Sequence, residues 1–191
     1  MDQIIHKDDA IKPVKNLPVL LKDSDYKLTQ FSVEKIDRFE TRIYPKKLKG
    51  KIGLYTTCLI RKKEIKLTPE ETIRQLYLMV LTEDLSYPEN RIAVEYPVSF
   101  GREKKRADIV IFDKDKTNIA YIIVEIKKPK LKEGKEQLKS YCNASGAPIG
   151  VWSNGDQISY YHRKDPNYFE DIPAIPKGSQ KLSDIIEERW F

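Results

Sequence analysis

The order of elements in this sequence predicts an α/β or α+β domain built on a mixed β-sheet flanked by helices. Three observations carry that expectation. A capped helix opens at Thr68, two β-prone runs follow at 107–112 and 119–126, and a second helix precedes two more strand-like runs around Asn154-Gly155.

Taken in order, residues 1–25 mix charges with Pro13 and Pro18 and show no sustained period, which reads as an arm or lead-in. A short helix is expected within 31–44, and 53–60 has the β-branched and aromatic content of a strand. Thr68-Pro69-Glu70-Glu71 supplies an N-cap, a proline at the first helical position and an acid three residues past the cap. Ile73, Leu76, Tyr77 and Val80 then recur at helical spacing, so a helix should run from Pro69 to about Leu85. Residues 91–100 read as a strand that Pro97 interrupts or places at a sheet edge. Residues 101–106 read as a basic loop.

The runs 107–112 and 119–126 should form a hairpin across the polar turn 113–118. Lys135 to about Asn143 fits a helix ended by Ser145-Gly146, and Asn154-Gly155 signals a tight turn between strands 149–153 and 157–161. Residues 166–176 are proline-rich and read as irregular, and 182–191 as an amphipathic helix. The expected division is an N-terminal extension, 1–66, packed on or leading into a core at 67–165, and a C-terminal tail or linker helix at 166–191. The apolar ending Trp190-Phe191 suggests a chain that continues into a larger protein.

Lys+Arg 35 against Asp+Glu 29 leaves a net charge of +6, with a sequence pI near 9.1, which favours a polyanionic partner such as nucleic acid. Cys58 and Cys142 are too few for a disulfide framework and read as small core residues in a reducing compartment. No apolar stretch has membrane-spanning length, and residues 1–8 lack a secretory pattern, so no membrane partner and a cytoplasmic location are expected. Two histidines, His6 and His162, exclude a zinc cluster, and no Gly-x-Ser-x-Gly elbow is present.

The residues with chemistry to explain are Asp108, Glu125 and Lys127. A carboxylate beside an apolar strand must be solvated, paired or bound to a cation. Side chains alternate along a strand, so Glu125 and Lys127 share a face. A turn centred between Asp115 and Lys116 sets Asp108 against Ile123, and one centred a residue later sets it against Glu125. Either register brings the two acids diagonal or opposite on one face. Two such charges repel unless a cation lies between them, and oxygen ligands of this kind suit Mg²⁺, with the Ile126 carbonyl as a further ligand. Lys127 would then hold the attacking water and offset charge in the transition state. A structural ion pair between Asp108 and Lys127 is the competing explanation.

Asp108 followed by Glu125-Ile126-Lys127 resembles the PD-(D/E)XK nuclease signature, with Ala107 where the family name has proline. Gln137-Leu-Lys-Ser-Tyr141 resembles the Gln-x-x-x-Tyr motif of type I restriction enzyme R subunits, and Gln137 and Tyr141 share one helix face. Residues 70–75, 106–110 and 124–129 are similar to the opening helix and the two core strands of that group.

The resemblance implies a restriction-endonuclease-like fold and a restriction-modification hydrolase: a Mg²⁺-dependent DNA endonuclease in which Mn²⁺ can substitute. It implies Asp108, Glu125 and Ile126 at the metal, Lys127 in catalysis, and Gln137 and Tyr141 supporting the site or the DNA. Lys128 and Arg106 lie close to this site in sequence and suit phosphate contact. Glu71 is an additional acid or a capping-box residue, with Glu70 as the alternative. No Gly-x-x-x-x-Gly-Lys-Ser/Thr loop occurs, so ATP would enter only through a motor outside these residues, and restriction-complex subunits are expected partners. Two rival readings share the residues: a noncatalytic DNA-binding or assembly module, and a free-standing repair or recombination nuclease.

Overall fold

The computed structural model describes residue 17, residues 28–100 and residues 102–187. Helix α1 (Val33–Glu40) leads into a small antiparallel sheet of β1 (Tyr44–Leu48), β2 (Lys51–Thr57) and β3 (Glu64–Lys66). Helix α2 (Pro69–Met79) follows. The main sheet contains β4 (Ile92–Phe100), β5 (Glu103–Phe112), β6 (Ala120–Ile126), β7 (Ile149–Ser153), β8 (Ile158–Asp165) and β9 (Tyr168–Ile172), in that spatial order. Helix α3 (Lys135–Ser145) connects β6 to β7, and α4 (Leu182–Glu187) comes last. Only β6 and β7 pair in parallel, so the sheet is mixed, as the sequence predicts.

The sheet is covered on both faces. Ile109, Ile111, Ile122, Val124 and Ile126 pack with Ile73, Leu76 and Tyr77 of α2, whereas Val110, Ile123 and Trp152 pack with Leu138, Tyr141 and Cys142 of α3. Burial on both sides explains the unbroken Val/Ile run of β6, which carries almost no alternation. Burying one such side chain contributes about 1.5–3 kcal/mol, enough to fix the register of the central strands. Phe31, Phe39, Ile43 and Leu67 join the α2 side, so the described part of the N-terminal region packs on the core.

Thr68 caps α2 as expected, its hydroxyl accepting from Glu71 N at 3.1 Å, with Pro69 in the first turn. The helix stops being α at Met79 and continues as a π-helical turn, Val80–Asp84, where a plain helix was expected. Every residue from Glu71 to Met79 is buried, so Glu71, Arg74 and Gln75 must find partners inside the protein.

Three expectations are corrected. Residues 103–106 are strand rather than loop, because β4 and β5 keep pairing out to Phe100↔Glu103. Residues 168–172 form β9 rather than irregular chain. Asn167 N donates to Asp165 Oδ1 at 2.7 Å in the connecting turn, and the strand returns along β8 with Ile172 buried. The strand expected at 53–60 starts at Lys51 and ends at Thr57, after which Cys58 N bonds back to Lys63 O. The expected division between core and tail after residue 165 falls between two paired strands. Pro97 lies on edge strand β4, where a missing N–H is tolerated. Both cysteines are free and buried. Trp190 and Phe191 lie outside the described residues, as does most of the lead-in. Among the described residues, no helix is long and apolar enough to cross a membrane.

Candidate active site

The β5–β6 ladder runs in register through Ile109↔Val124, and one step further sets Asp108 opposite Glu125. Regular pairing ends there. The Asp108 carboxylate enters the gap, its Oδ2 accepting from the Ile126 N–H at 2.7 Å. Its Oδ1 accepts from Arg74 Nη2 of α2 at 2.5 Å. On the other side of β5 the ladder skips from Val94↔Ile109 to Tyr96↔Ala107, and the residue passed over, Glu95, has φ 53°. A left-handed glutamate within a strand is a rare and costly conformation. It marks the point where three strands loosen around one acid.

Glu125 is only 2% exposed. Its Oε1 accepts from Lys127 Nζ at 2.5 Å, whereas Oε2 is buried and has no hydrogen-bond partner among the described residues. Burial first, and the nearby Asp108 second, push this carboxyl up to about 7 against the opposing pull of Lys127. Burial is the largest influence and disfavours the charged Lys127, yet the bond to Glu125 and the charges of Glu125, Asp108 and Glu70 together raise the ammonium. A buried carboxylate oxygen without a donor, beside a second carboxylate, is a fitting seat for a hard cation. Among the described residues, no three His, Cys, Asp or Glu side chains form a ready-made cage. Such a cation would therefore rest on Asp108 and Glu125 and on oxygens from water or substrate.

The Lys127 stem crosses Gly134, the residue before α3. A Cβ there would lie 2.3 Å from Lys127 Cε, and φ is +101°. The positive φ favours glycine, and any side chain there would push the end of Lys127 aside. Lys127 Nζ also lies 3.4 Å from Gln137 Oε1. Gln137 Nε2 donates to Tyr141 Oη at 2.8 Å, and that hydroxyl donates to the Arg106 carbonyl at 3.1 Å. The structure thus joins Lys127, Gln137, Tyr141 and the Arg106 backbone in one chain of contacts. The side chains of Arg106 and Lys128 are exposed at the same end of the sheet.

Glu71 takes a different place. Its carboxylate accepts from Arg74 Nη1 and, at 2.8 Å, from Gln75 Nε2, so it bonds neither to the helix start nor to Asp108. Burial raises its carboxyl above the ordinary range. Glu70, one residue earlier and rotated about 100° around the helix, is the acid that senses the site. Burial and the charge of Asp108 raise it, while Arg74, Lys127 and Lys128 pull it down. Sequence reasoning gave no role to Arg74 or Glu95. Arg74 Nη1 lies 4.0 Å from Glu95 Oε1, and Glu95 is also paired with Arg61. The available signal was an arginine three and four residues after two glutamates on a helix that is otherwise largely apolar.

A mixed sheet with helices on both faces, carrying an Asp and a Glu-x-Lys on adjacent strands at one end, defines a PD-(D/E)XK-like nuclease domain. Residues 69–176, more than half of the chain, match the sequence profile of the type I restriction enzyme R protein N terminus. The chain belongs to that family. Among solved structures it is similar to a DUF820 protein from Anabaena variabilis described as a candidate nuclease, with 16% identity over 73% of this chain and 82% of that one, and a TM-score of 0.42. No curated protein sequence matches it.

Proposed function

We propose that this domain hydrolyses DNA phosphodiester bonds with Mg²⁺, or Mn²⁺ in its place, as the nuclease part of a type I restriction enzyme R protein. The observation that carries the reading is the buried Glu125 carboxylate, bonded to Lys127 on one oxygen and unpartnered on the other, opposite Asp108.

In this reading Asp108 and Glu125 hold the cation, with Ile126 shaping the site through the N–H that orients Asp108. A divalent ion bound there supplies Lewis-acid activation of phosphate and water. Lys127 positions the attacking water and offsets negative charge on the reacting phosphate. Gln137 and Tyr141 fix where Lys127 points. Glu70 is the acid that α2 contributes, while Glu71 keeps Arg74 in place. Lys128 and Arg106 meet backbone phosphates, which would hold DNA without reading its sequence. ATP enters only through a motor elsewhere in the enzyme.

The noncatalytic reading has one observation in its favour: both Asp108 oxygens already have donors, from Arg74 and Ile126. The two readings separate on supercoiled plasmid with Mg²⁺ or Mn²⁺. Nicking by the wild type that Lys127→Ala and Glu125→Gln abolish supports the enzyme. Retention of plasmid without nicking, equal in all three proteins, would establish the binding module instead.

A further inference from the structure

We infer that the β1–β2 hairpin is a DNA-gripping ribbon that seats its lysine tip on the phosphates of a duplex held at the acidic site. The inference rests on the nuclease reading and deepens it, because the hairpin lies outside the residues that match the family.

Position comes first. β3 pairs with β2 through Tyr55↔Lys66, Leu67 N then donates to Leu54 O at 2.8 Å, and Thr68 caps α2 immediately afterwards. Lys51–Gly53 of β2 therefore project past the N-terminus of α2, by about 10 Å at strand rise. That terminus carries Glu70, which feels the charge of Asp108 and Lys127. The β4–β5 hairpin, with Arg102, Lys104, Lys105 and Arg106, extends from Asp108 at the same end of the sheet. Both basic ribbons thus extend from the end of the molecule where α2 begins and Asp108 lies, and a two-stranded ribbon is an element that a DNA groove admits.

Charge and conformation come next. Glu64 is the one acid in the three strands of the small sheet, and Lys46 and Tyr44 already bind it. Lys47, Lys49 and Lys51 remain exposed. Lys49 and Gly50 form the turn, with φ 49° and 79°. A two-residue turn of that kind normally takes Asn-Gly, since other side chains are strained there. A lysine kept in that position puts a charge at the outermost point of the ribbon at conformational cost. Lysines on an edge strand can serve merely to block sheet-to-sheet association. Lys49, however, is in the turn rather than the strand, and Ile52, paired with Lys47 across the ribbon, is 75% exposed, which such protection would avoid. An exposed aliphatic side chain among lysines suits a wedge laid against base edges or sugars.

The test measures duplex binding by the full chain in Ca²⁺ across a salt series, using fluorescence anisotropy. Each phosphate contact contributes about 0.9 to the slope of log affinity against log salt. The variant Lys47→Gln/Lys49→Gln/Lys51→Gln should show a slope shallower by about 2.7 and weaker affinity. Lys49→Gly should lose about 0.9 of slope while melting at the same or a higher temperature, because it relieves the strained turn. A solubility role would move neither slope. Wild-type binding with unchanged slopes in both variants overturns the hairpin and leaves the nuclease reading intact. A wild type that binds no duplex at all overturns both.

Discussion

Arg74 and Asp108 are joined across 2.5 Å, and the same guanidinium holds Glu71 one helical turn back. One buried cation from α2 thus serves acids on two elements.

Arg74→Met leaves Glu71 and Asp108 buried without their counter-ion, a change that typically costs about 3–5 kcal/mol. We expect that loss in urea denaturation at neutral pH. It should shrink in acid, where protonated carboxyls no longer need a partner, and on adding Mg²⁺. A variant as stable as the wild type at neutral pH would show that Arg74 does not neutralise these acids.

Glu125 sets a pH dependence. Its carboxyl is raised from 4.5 to about 7 on folding, so between those values the folded state keeps a proton that the unfolded chain has released. The stability this group contributes is complete below about 4.5 and is lost as pH rises through about 7. Glu125→Gln should therefore be more stable than the wild type above pH 7 in chelator, with the advantage fading toward pH 4.5. Divalent cations should raise the wild-type melting temperature more at pH 8 than at pH 6, and should not raise that of the variant. Parallel stability-pH curves for the two proteins would refute the assignment.

Gly134→Ala would bring a Cβ to 2.3 Å from Lys127 Cε and force a left-handed alanine, so Lys127 must move. Misplacing a catalytic group by about 1 Å can cost roughly 10²-fold in turnover. We expect a fall in the nicking rate of that order, with DNA affinity retained. Full activity would mean that the resting place of Lys127 is not its working place.

Tyr141→Phe removes a hydroxyl that accepts from Gln137 and donates to the Arg106 carbonyl. About 0.5–1.5 kcal/mol should be lost, since Gln137 and Arg106 belong to the exposed surface, where water can take over as their partner. In a double-mutant cycle with Gln137→Ala the two effects should be less than additive. Strict additivity would show that the two residues do not act together.

Gly178→Ala tests how the segment between β9 and α4 is held against residues 85–87. An added Cβ would sit 2.4 Å from the Ser86 carbonyl, which is backbone and cannot swing away, while Gly178 N already bonds to Leu85 O at 2.7 Å. Overpacking of this kind costs about 1–3 kcal/mol. Thermal denaturation should register the loss, with cation binding unchanged below the transition.

The central pair was legible in part: alternation along β6 and the length of the turn after β5 leave Asp108 against Glu125 or one diagonal step away. A one-residue irregularity between Ile111 and Phe112, which neither count foretells, sets the directly opposed register. Gln137 and Tyr141 were legible as neighbours for a similar reason, the helical repeat. Arg74 and Glu95 were not, because their partners come from distant elements and only packing brings them together. The choice between Glu70 and Glu71 was undecidable by spacing: it depends on which side chain the buried Arg74 and Gln75 capture. Strands β1 and β3 were hidden by short length, lysines and a proline, since their pairing partners rather than their own propensities hold them extended, whereas β9 was hidden by the prolines on either side of a short β-prone run.

The hydrogen bond from the Ile126 N–H to Asp108 bears on how inactive forms of this domain should be made. Asparagine at position 108 could still accept from that amide through its carbonyl, but its NH₂ would then confront the Arg74 guanidinium, donor against donor. Alanine would leave the Ile126 amide bare where two strands part. Neither replacement is silent for the scaffold, so a loss of cleavage in either would mingle chemistry with local unravelling. Lys127 meets the site through its head group alone, so its loss leaves every strand pairing intact and takes from the buried Glu125 only a side-chain donor, which makes it the less disruptive place to disarm the domain.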